Sequence, residues 1–225
     1  METDKPVLLA IDTSTEMAGL ALYDGRRVSE VIWHSGRNQT SVLLGQIQHL
    51  LSMNRLELGQ VGAIAVAIGP GMFNGLRVGL STAKGLGYGR SIPVYGADTL
   101  EVTAYPHRSS YRPIRAFVPA GRGRVVFGDY RYRNGRWVRA GEFQNRAFEE
   151  LTSGLAEPTL LTGELPANAE AERIESPNAE QPRPSLSVRR PGCLAEIGWN
   201  RWLDGEPDDL NTLEPLYVHS ARSDG

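Results

Sequence analysis

Lysine is confined to Lys5 and Lys84, cysteine to Cys193, and histidine to His34, His49, His107 and His219. One cysteine builds neither a disulfide framework nor a thiolate metal site. No histidine has another three or four residues away, so no helix offers two imidazoles to one ion, and no metal site is assigned. The phosphate-loop pattern G-x-x-x-x-G-K-[ST] and the nucleophile elbow G-x-S-x-G are both absent. Cys193 has no histidine near it in sequence and reads as a structural thiol. No catalytic residue is assigned. Long apolar runs are missing too, which argues against a membrane span. Met1 to Lys5 is polar and lacks the features of a secretory leader, so a reducing, cytoplasmic setting and no membrane partner are expected.

Charge is present in both signs but unevenly placed. The formal net charge is −2. Arg108 to Arg146 nevertheless holds ten arginines against Asp129 and Glu142, and Ala147 to Glu180 holds eight glutamates and only Arg173. The simplest expectation is that the two blocks largely neutralise each other, leaving only weak attraction for a polyanion.

The elements follow from periodicity. Val7 to Thr13 is an apolar run ending in an acid and hydroxyls, the pattern of a buried strand. Met17 to Tyr23 and Arg27 to Trp33 alternate on either side of an Asp24-Gly25 turn. Leu43, Ile47, Leu50 and Leu51 sit at helical spacing between Gln39 and Met53. Gly62 to Ile68 reads as a strand covered on both faces, Ile92 to Tyr95 as another, and Asp98 as the N-cap of a short helix. From Ile114 the three-strand opening recurs: Ile114–Pro119, Val125–Tyr132 and, after Asn134-Gly135, Trp137–Phe143. Weaker signals predict a helix over Ala147–Leu155, a strand over Thr159–Leu161, a helix over Ala167–Arg173 and a strand at Leu186–Val188. Pro215 to Val218 reads as a docked tail. Two successive βββαβ units predict a duplicated actin-like (ASKHA, ribonuclease H-like) α/β fold with two mixed-sheet lobes. The lobes are placed at 1–105 and 106–225, with the helix near 193–203 expected to pack back on the first.

Two stretches are candidates for function. Asp12, Thr13 and Ser14 end the first strand where such a fold places a phosphate loop, and Gly69-Pro70-Gly71 precedes a helix N-terminus whose amides suit an anion. An ordinary capped turn accounts for the same residues. The helix after the glycine turn carries Gly75, Gly79, Ala83 and Gly87 four residues apart, a ridge without side-chain bulk, flanked by Leu76, Leu80 and Leu86. Each interior glycine costs a helix about 0.8–1.0 kcal/mol relative to alanine. Close packing must offset that cost, either on the chain's own sheet or on a helix of a partner.

The stretches LLAIDTST (Leu8 to Thr15) and AIGPGMFNGLRVGLSTAKGLGYG (Ala67 to Gly89), with the helix from Gln39 between them, resemble the TsaB (YeaZ) family. Its glycine turn usually reads GPGSFTGLR-[IV]-G, and here Met72 and Asn74 replace the serine and threonine. PLYV at Pro215 to Val218 is similar to the family's closing motif. Where members commonly read D-A-R-x-G-E-V-Y, this chain has Pro119 to Val126, PAGRGRVV, without the acid, the Glu or the Tyr.

The resemblance implies a non-catalytic subunit required for N6-threonylcarbamoylation of adenosine 37 in tRNAs reading codons that start with A. It implies a TsaD-like catalytic paralogue, which carries a His-x-x-x-His motif absent here, and a TsaE-like ATPase. It further implies pairing with the paralogue, or with a second copy as a homodimer, through the two helices of the first lobe. On that basis Leu43, Ile47, Gly75, Leu76, Gly79, Leu80, Ala83 and Gly87 are the expected partner contacts. Asp12, Thr13, Ser14, Gly69 and Gly71 are the expected nucleotide contacts. No cofactor of its own is implied, ATP or ADP being held by the assembled complex, and tRNA is reached indirectly through that complex. The competing reading is a small-molecule kinase or ATPase acting alone. Phosphoryl transfer needs phosphate-gripping loops in both lobes, and only the first offers a candidate.

Overall fold

The computed structural model describes residues 6–36, 39–166, 174 and 176–218. The elements of the first half are β1 (Val7–Asp12), β2 (Met17–Tyr23), β3 (Val28–His34), α1 (Gln39–Met53), β4 (Val61–Gly69), α2 (Phe73–Arg90), β5 (Val94–Asp98) and α3 (Thr99–Ala104). They are followed by β6 (Ile114–Pro119), β7 (Arg124–Arg133), β8 (Arg136–Arg139), β9 (Gln144–Ala147), β10 (Thr159–Gly163), β11 (Ala179–Glu180), α4 (Pro184–Ser187) and α5 (Pro191–Asp204). Contacts divide the chain into two units, Met1–Val102 with Arg190–Leu216 and Thr103–Arg189 with Tyr217–Gly225.

The first unit is a five-stranded sheet in the order β3-β2-β1-β4-β5. β1 lies at its centre with all six residues buried, as its uninterrupted apolar run requires. The Asp24 carboxylate closes the β2–β3 turn by accepting the amides of Arg26 and Arg27 at 2.9 and 2.7 Å. These bonds outweigh desolvation and hold its pKa below the ordinary carboxylate value. Val7, Leu9 and Ile11 point to one face, where they join Leu43, Ile47 and Leu50 of α1 and Leu80 and Ala83 of α2 in one core. Small side chains line the other face, among them Ala10, Ala21 and Ala65. There α5 packs so closely that a Cβ on Gly198 would collide with that of Ala65, and one on Gly19 would lie 2.9 Å from Pro191. The fold class expected from the sequence is present.

The second unit repeats the topology. Its sheet runs β11-β10-β6-β7-β8, with β9 on β7; read from β8, this is the strand order of the first unit. Asn134 and Gly135, with φ of 51° and 72°, turn β7 into β8. The core is smaller, built on Phe117, Val125, Phe127, Leu151 and Leu161, and it takes in a buried arginine. The Arg115 guanidinium donates to Asp129 at 2.7 and 3.0 Å and to the carbonyls of Leu151 and Ser153 at 2.8 and 2.9 Å, and it lies 4.4 Å from the centroid of the Phe127 ring. These partners satisfy the charge that burial would otherwise leave costly.

Three expectations for this half are corrected. Ala147–Leu155 is not a helix: only a single 3-10 turn forms at Phe148–Glu150, because Leu151 is the one fully buried anchor there. The expected Trp137–Phe143 strand ends at Arg139, with a separate strand, β9, beyond it, and Leu186 lies in the short α4 rather than in a strand. The expected helix at Ala167–Arg173 lies outside the described residues.

Candidate partner-binding surface

The turn after β1 is closed on itself. Asp12 Oδ1 accepts the Ser14 amide at 3.0 Å and the Ser14 hydroxyl at 2.6 Å. Thr13 Oγ1 donates to the Gly75 carbonyl at 2.7 Å, and the Met72 amide donates to the Ser14 carbonyl at 2.7 Å. A Cβ on Gly71 would collide with that same carbonyl. A Cβ on Gly69, whose φ is 117°, would press on the Leu216 carbonyl, where the Leu216 amide donates to Ile68 at 2.7 Å. Asp12, Thr13, Ser14 and Gly69 are buried and Gly71 half-buried. Their polar atoms brace the start of α2, and the two glycines admit close approach of chain backbone.

The eight residues expected to meet a partner lie inside the first unit. Gly75, Leu76, Gly79, Leu80, Ala83 and Gly87 are all buried, and Leu43 and Ile47 are core residues of α1. A Cβ on Gly79 would collide with Thr13 Oγ1, and one on Gly87 would lie 2.8 Å from Val94 Cγ2. The ridge therefore lets α2 settle onto its own sheet.

The opposite sides of α1 and α2 are open. α2 carries a second run of mostly small residues, Arg77, Ser81, Gly85 and Gly89, all exposed. Beside Gly85 and Gly89 of α2 and Gly45 of α1, a Cβ would meet nothing within 4 Å. Leu44 is 63% exposed next to Gly45, and Phe73 and Tyr88 are exposed on α2, with the Arg77 guanidinium 3.9 Å over the Phe73 ring. This face combines glycines that no contact among the described residues explains with large exposed side chains, the Tyr88 hydroxyl donating to Asn211 Oδ1 at 2.9 Å. The sequence signal was available, since Gly85 and Gly89 also recur at four residues. Periodicity alone does not decide which of two small-residue runs faces the sheet.

Displaced ionisations include Glu101 of the first unit and His107 of the second. Burial raises the pKa of the Glu101 carboxyl although Arg201 stands 3.0 Å away. Burial lowers that of His107, whose Nε2 is 3.1 Å from the Leu186 carbonyl oxygen and 3.3 Å from Thr162 Oγ1.

The arginine block is only partly neutralised. Arg112 pairs with Glu180, and Arg146 approaches Glu150 at 4.0 Å. Arg122, Arg131, Arg133, Arg136 and Arg139 face no carboxylate among the described residues. Glu170, Glu172 and Glu175 lie outside them.

A two-unit mixed-sheet protein with a closed first turn and an open helical face belongs to the actin-like class, and the comparisons place it within that class. Residues 34–187 match the family model described as TsaD, tRNA N6-adenosine threonylcarbamoyltransferase. The chain belongs to this family, on its TsaB (YeaZ) branch. It is 28% identical over 229 residues to the tRNA threonylcarbamoyladenosine biosynthesis protein TsaB of Bacillus subtilis, the match covering 96% of each chain. The TsaB of Escherichia coli is 32% identical over 133 residues, and that match spans only 58% of either protein. YeaZ from Pseudomonas aeruginosa superimposes with a TM-score of 0.77 at 25% identity, covering 95% of this chain and 100% of the other.

Proposed function

We propose that this chain is a non-catalytic subunit that supports a TsaD-like catalytic paralogue, together with a TsaE-like ATPase, in the N6-threonylcarbamoylation of adenosine 37 in tRNAs reading codons that start with A. The observation that carries the reading is the open face of α1 and α2, where Gly45, Gly85 and Gly89 leave room for a helix beside Leu44, Phe73 and Tyr88. Two helices from each partner would bury that apolar surface in a four-helix contact, with the glycines allowing close backbone approach. A second copy of the chain would use the same face when the paralogue is absent.

In this reading the chain has no ATPase or peptidase activity and holds no cofactor of its own, ATP or ADP residing in the assembled complex. The closed Asp12–Ser14 turn supports it, since its hydroxyls are engaged by the chain. The test is co-purification and titration of the paralogue against the wild-type chain and Gly85→Leu. Pairing should weaken by about tenfold or more, the equivalent of about 1–3 kcal/mol of overpacking, with the melt of the isolated chain preserved. Unchanged pairing would reject the surface. ATP turnover that survives stringent purification and is lost in Asp12→Asn would reject the non-catalytic role.

A further inference from the structure

The sheet of the second unit ends on β8, which among the described residues pairs with β7 and with no other strand. Arg133 and Arg136 flank the Asn134-Gly135 turn as an opposed pair, and Val138 stands opposite Arg131. Hydrogen bonding alternates along such an antiparallel ladder, and its phase is set by the Ala140 amide, which donates to the Asp129 carbonyl at 2.7 Å. The amides and carbonyls of Trp137 and Arg139 therefore point away from β7, along an open edge.

The two faces beside this edge differ. Arg131, Arg133 and Arg136 share one face. Like charges directly opposite destabilise a strand pair, yet no carboxylate among the described residues faces these three, Asp129 being taken by Arg115. Arg131 Nε is buried with no acceptor among those residues. The other face is built of rings. Trp137 is opposite Tyr132 and stacks on Tyr130 at 5.7 Å between centroids and 15° between planes. Tyr111 lies 5.0 Å beyond Tyr132 and is 77% exposed.

An extended segment turns successive side chains to opposite faces of a sheet, so a single added strand meets both surfaces. We propose that the β8 edge receives an extended segment of another protein in which acidic residues alternate with apolar ones. Its backbone pairs with that of Trp137 and Arg139 and adds a strand to the sheet. Carboxylates opposite Arg136 and Val138 neutralise Arg136 and Arg133 and reach Arg131, and the apolar residue between them packs on Trp137. A second copy of the chain does not fit, because no strand among the described residues carries acids at alternate positions.

The test is fluorescence anisotropy of the full chain with a labelled short peptide of alternating glutamate and valine. It is compared with a peptide of the same composition whose glutamates are grouped at one end, with the alternating peptide N-methylated at every valine or at every glutamate, and with a double-stranded RNA. The alternating peptide should bind best. One of the two N-methylated forms, the one whose methyls face β8, should lose binding. The double variant Arg133→Gln, Arg136→Gln should weaken the alternating peptide by about tenfold without lowering the melt of the chain, since the opposed charges are gone. Equal affinity for the grouped peptide, indifference to both N-methylations, tighter binding of the RNA, no peptide binding at low salt, or indifference to the double variant would overturn the proposal. Paralogue pairing measured on the same proteins separates this edge from the helical face. Its retention in a double variant that has lost the peptide leaves the helical face standing, and its loss in Gly85→Leu with peptide affinity intact leaves the edge standing.

Discussion

The two sides of α2 are built from the same kind of residue for different reasons. Toward the sheet, Gly75, Gly79, Ala83 and Gly87 are small because neighbours already fill the space, Thr13 against Gly79 and Val94 against Gly87. Toward solvent, a Cβ on Gly85 or Gly89 would meet nothing within 4 Å among the described residues, yet each glycine costs the helix about 1 kcal/mol relative to alanine. A small residue held by its surroundings marks a core. One with nothing around it marks either indifference or a contact made only in an assembly.

The sharpest way to break this comparison is to add bulk inside. Gly79→Leu should destabilise the isolated chain by about 3 kcal/mol, at the upper end of overpacking costs, because the first atom added already collides with Thr13. Chemical denaturation reads this directly, and a native-like midpoint would mean that α2 is seated otherwise. A smaller loss is expected from Thr13→Val, which removes the hydroxyl donating to the Gly75 carbonyl and should cost about 0.5–1.5 kcal/mol for one buried hydrogen bond, the carbonyl keeping its helical partner. On the outer side the sign reverses. Gly85→Ala should stabilise the isolated chain by up to about 1 kcal/mol through helix propensity alone, and a loss of stability there would reveal an internal contact.

The smallest effect concerns pH and lies in the second unit. The pKa of His107 is lowered in the folded chain by burial. The unfolded chain therefore takes up a proton more readily, and stability is lost as pH falls below the ordinary histidine value of 6.5 toward the folded one. Denaturation of wild type and His107→Gln at neutral and mildly acidic pH should show a shallower decline in the variant. Parallel declines would assign the pH dependence to other groups.

The first unit was the more legible half. β1 and β4 announce themselves as continuous apolar runs and β2 and β3 as alternating ones, and the capping role of Asp98 is visible in its carboxylate accepting the Glu101 amide at 2.5 Å. The inward face of α2 was not legible, because its two small-residue runs have the same period. Only the tertiary partners Thr13 and Val94 distinguish them. In the second unit, β9 consists of Gln, Asn, Arg and Ala and has no apolar alternation; it exists because it pairs with β7. The Ala147–Leu155 segment has helical spacing on paper but lacks enough buried anchors to form a helix. The duplication is legible in β6, β7 and β10, whose apolar runs mark them as strands, whereas β11 at Ala179–Glu180 has no such run and exists through its pairing with β10.

The claim that the outer face of α2 is the partner surface is tested most directly by titrating the catalytic paralogue against Gly85→Leu and Gly85→Ala, with the melt of each isolated variant recorded alongside. The predicted result is that the leucine variant binds about tenfold or more weakly while its melt stays at or above that of wild type, and that the alanine variant falls between the two in affinity. Equal affinity for all three proteins would contradict the assignment and place the contact on another part of the chain.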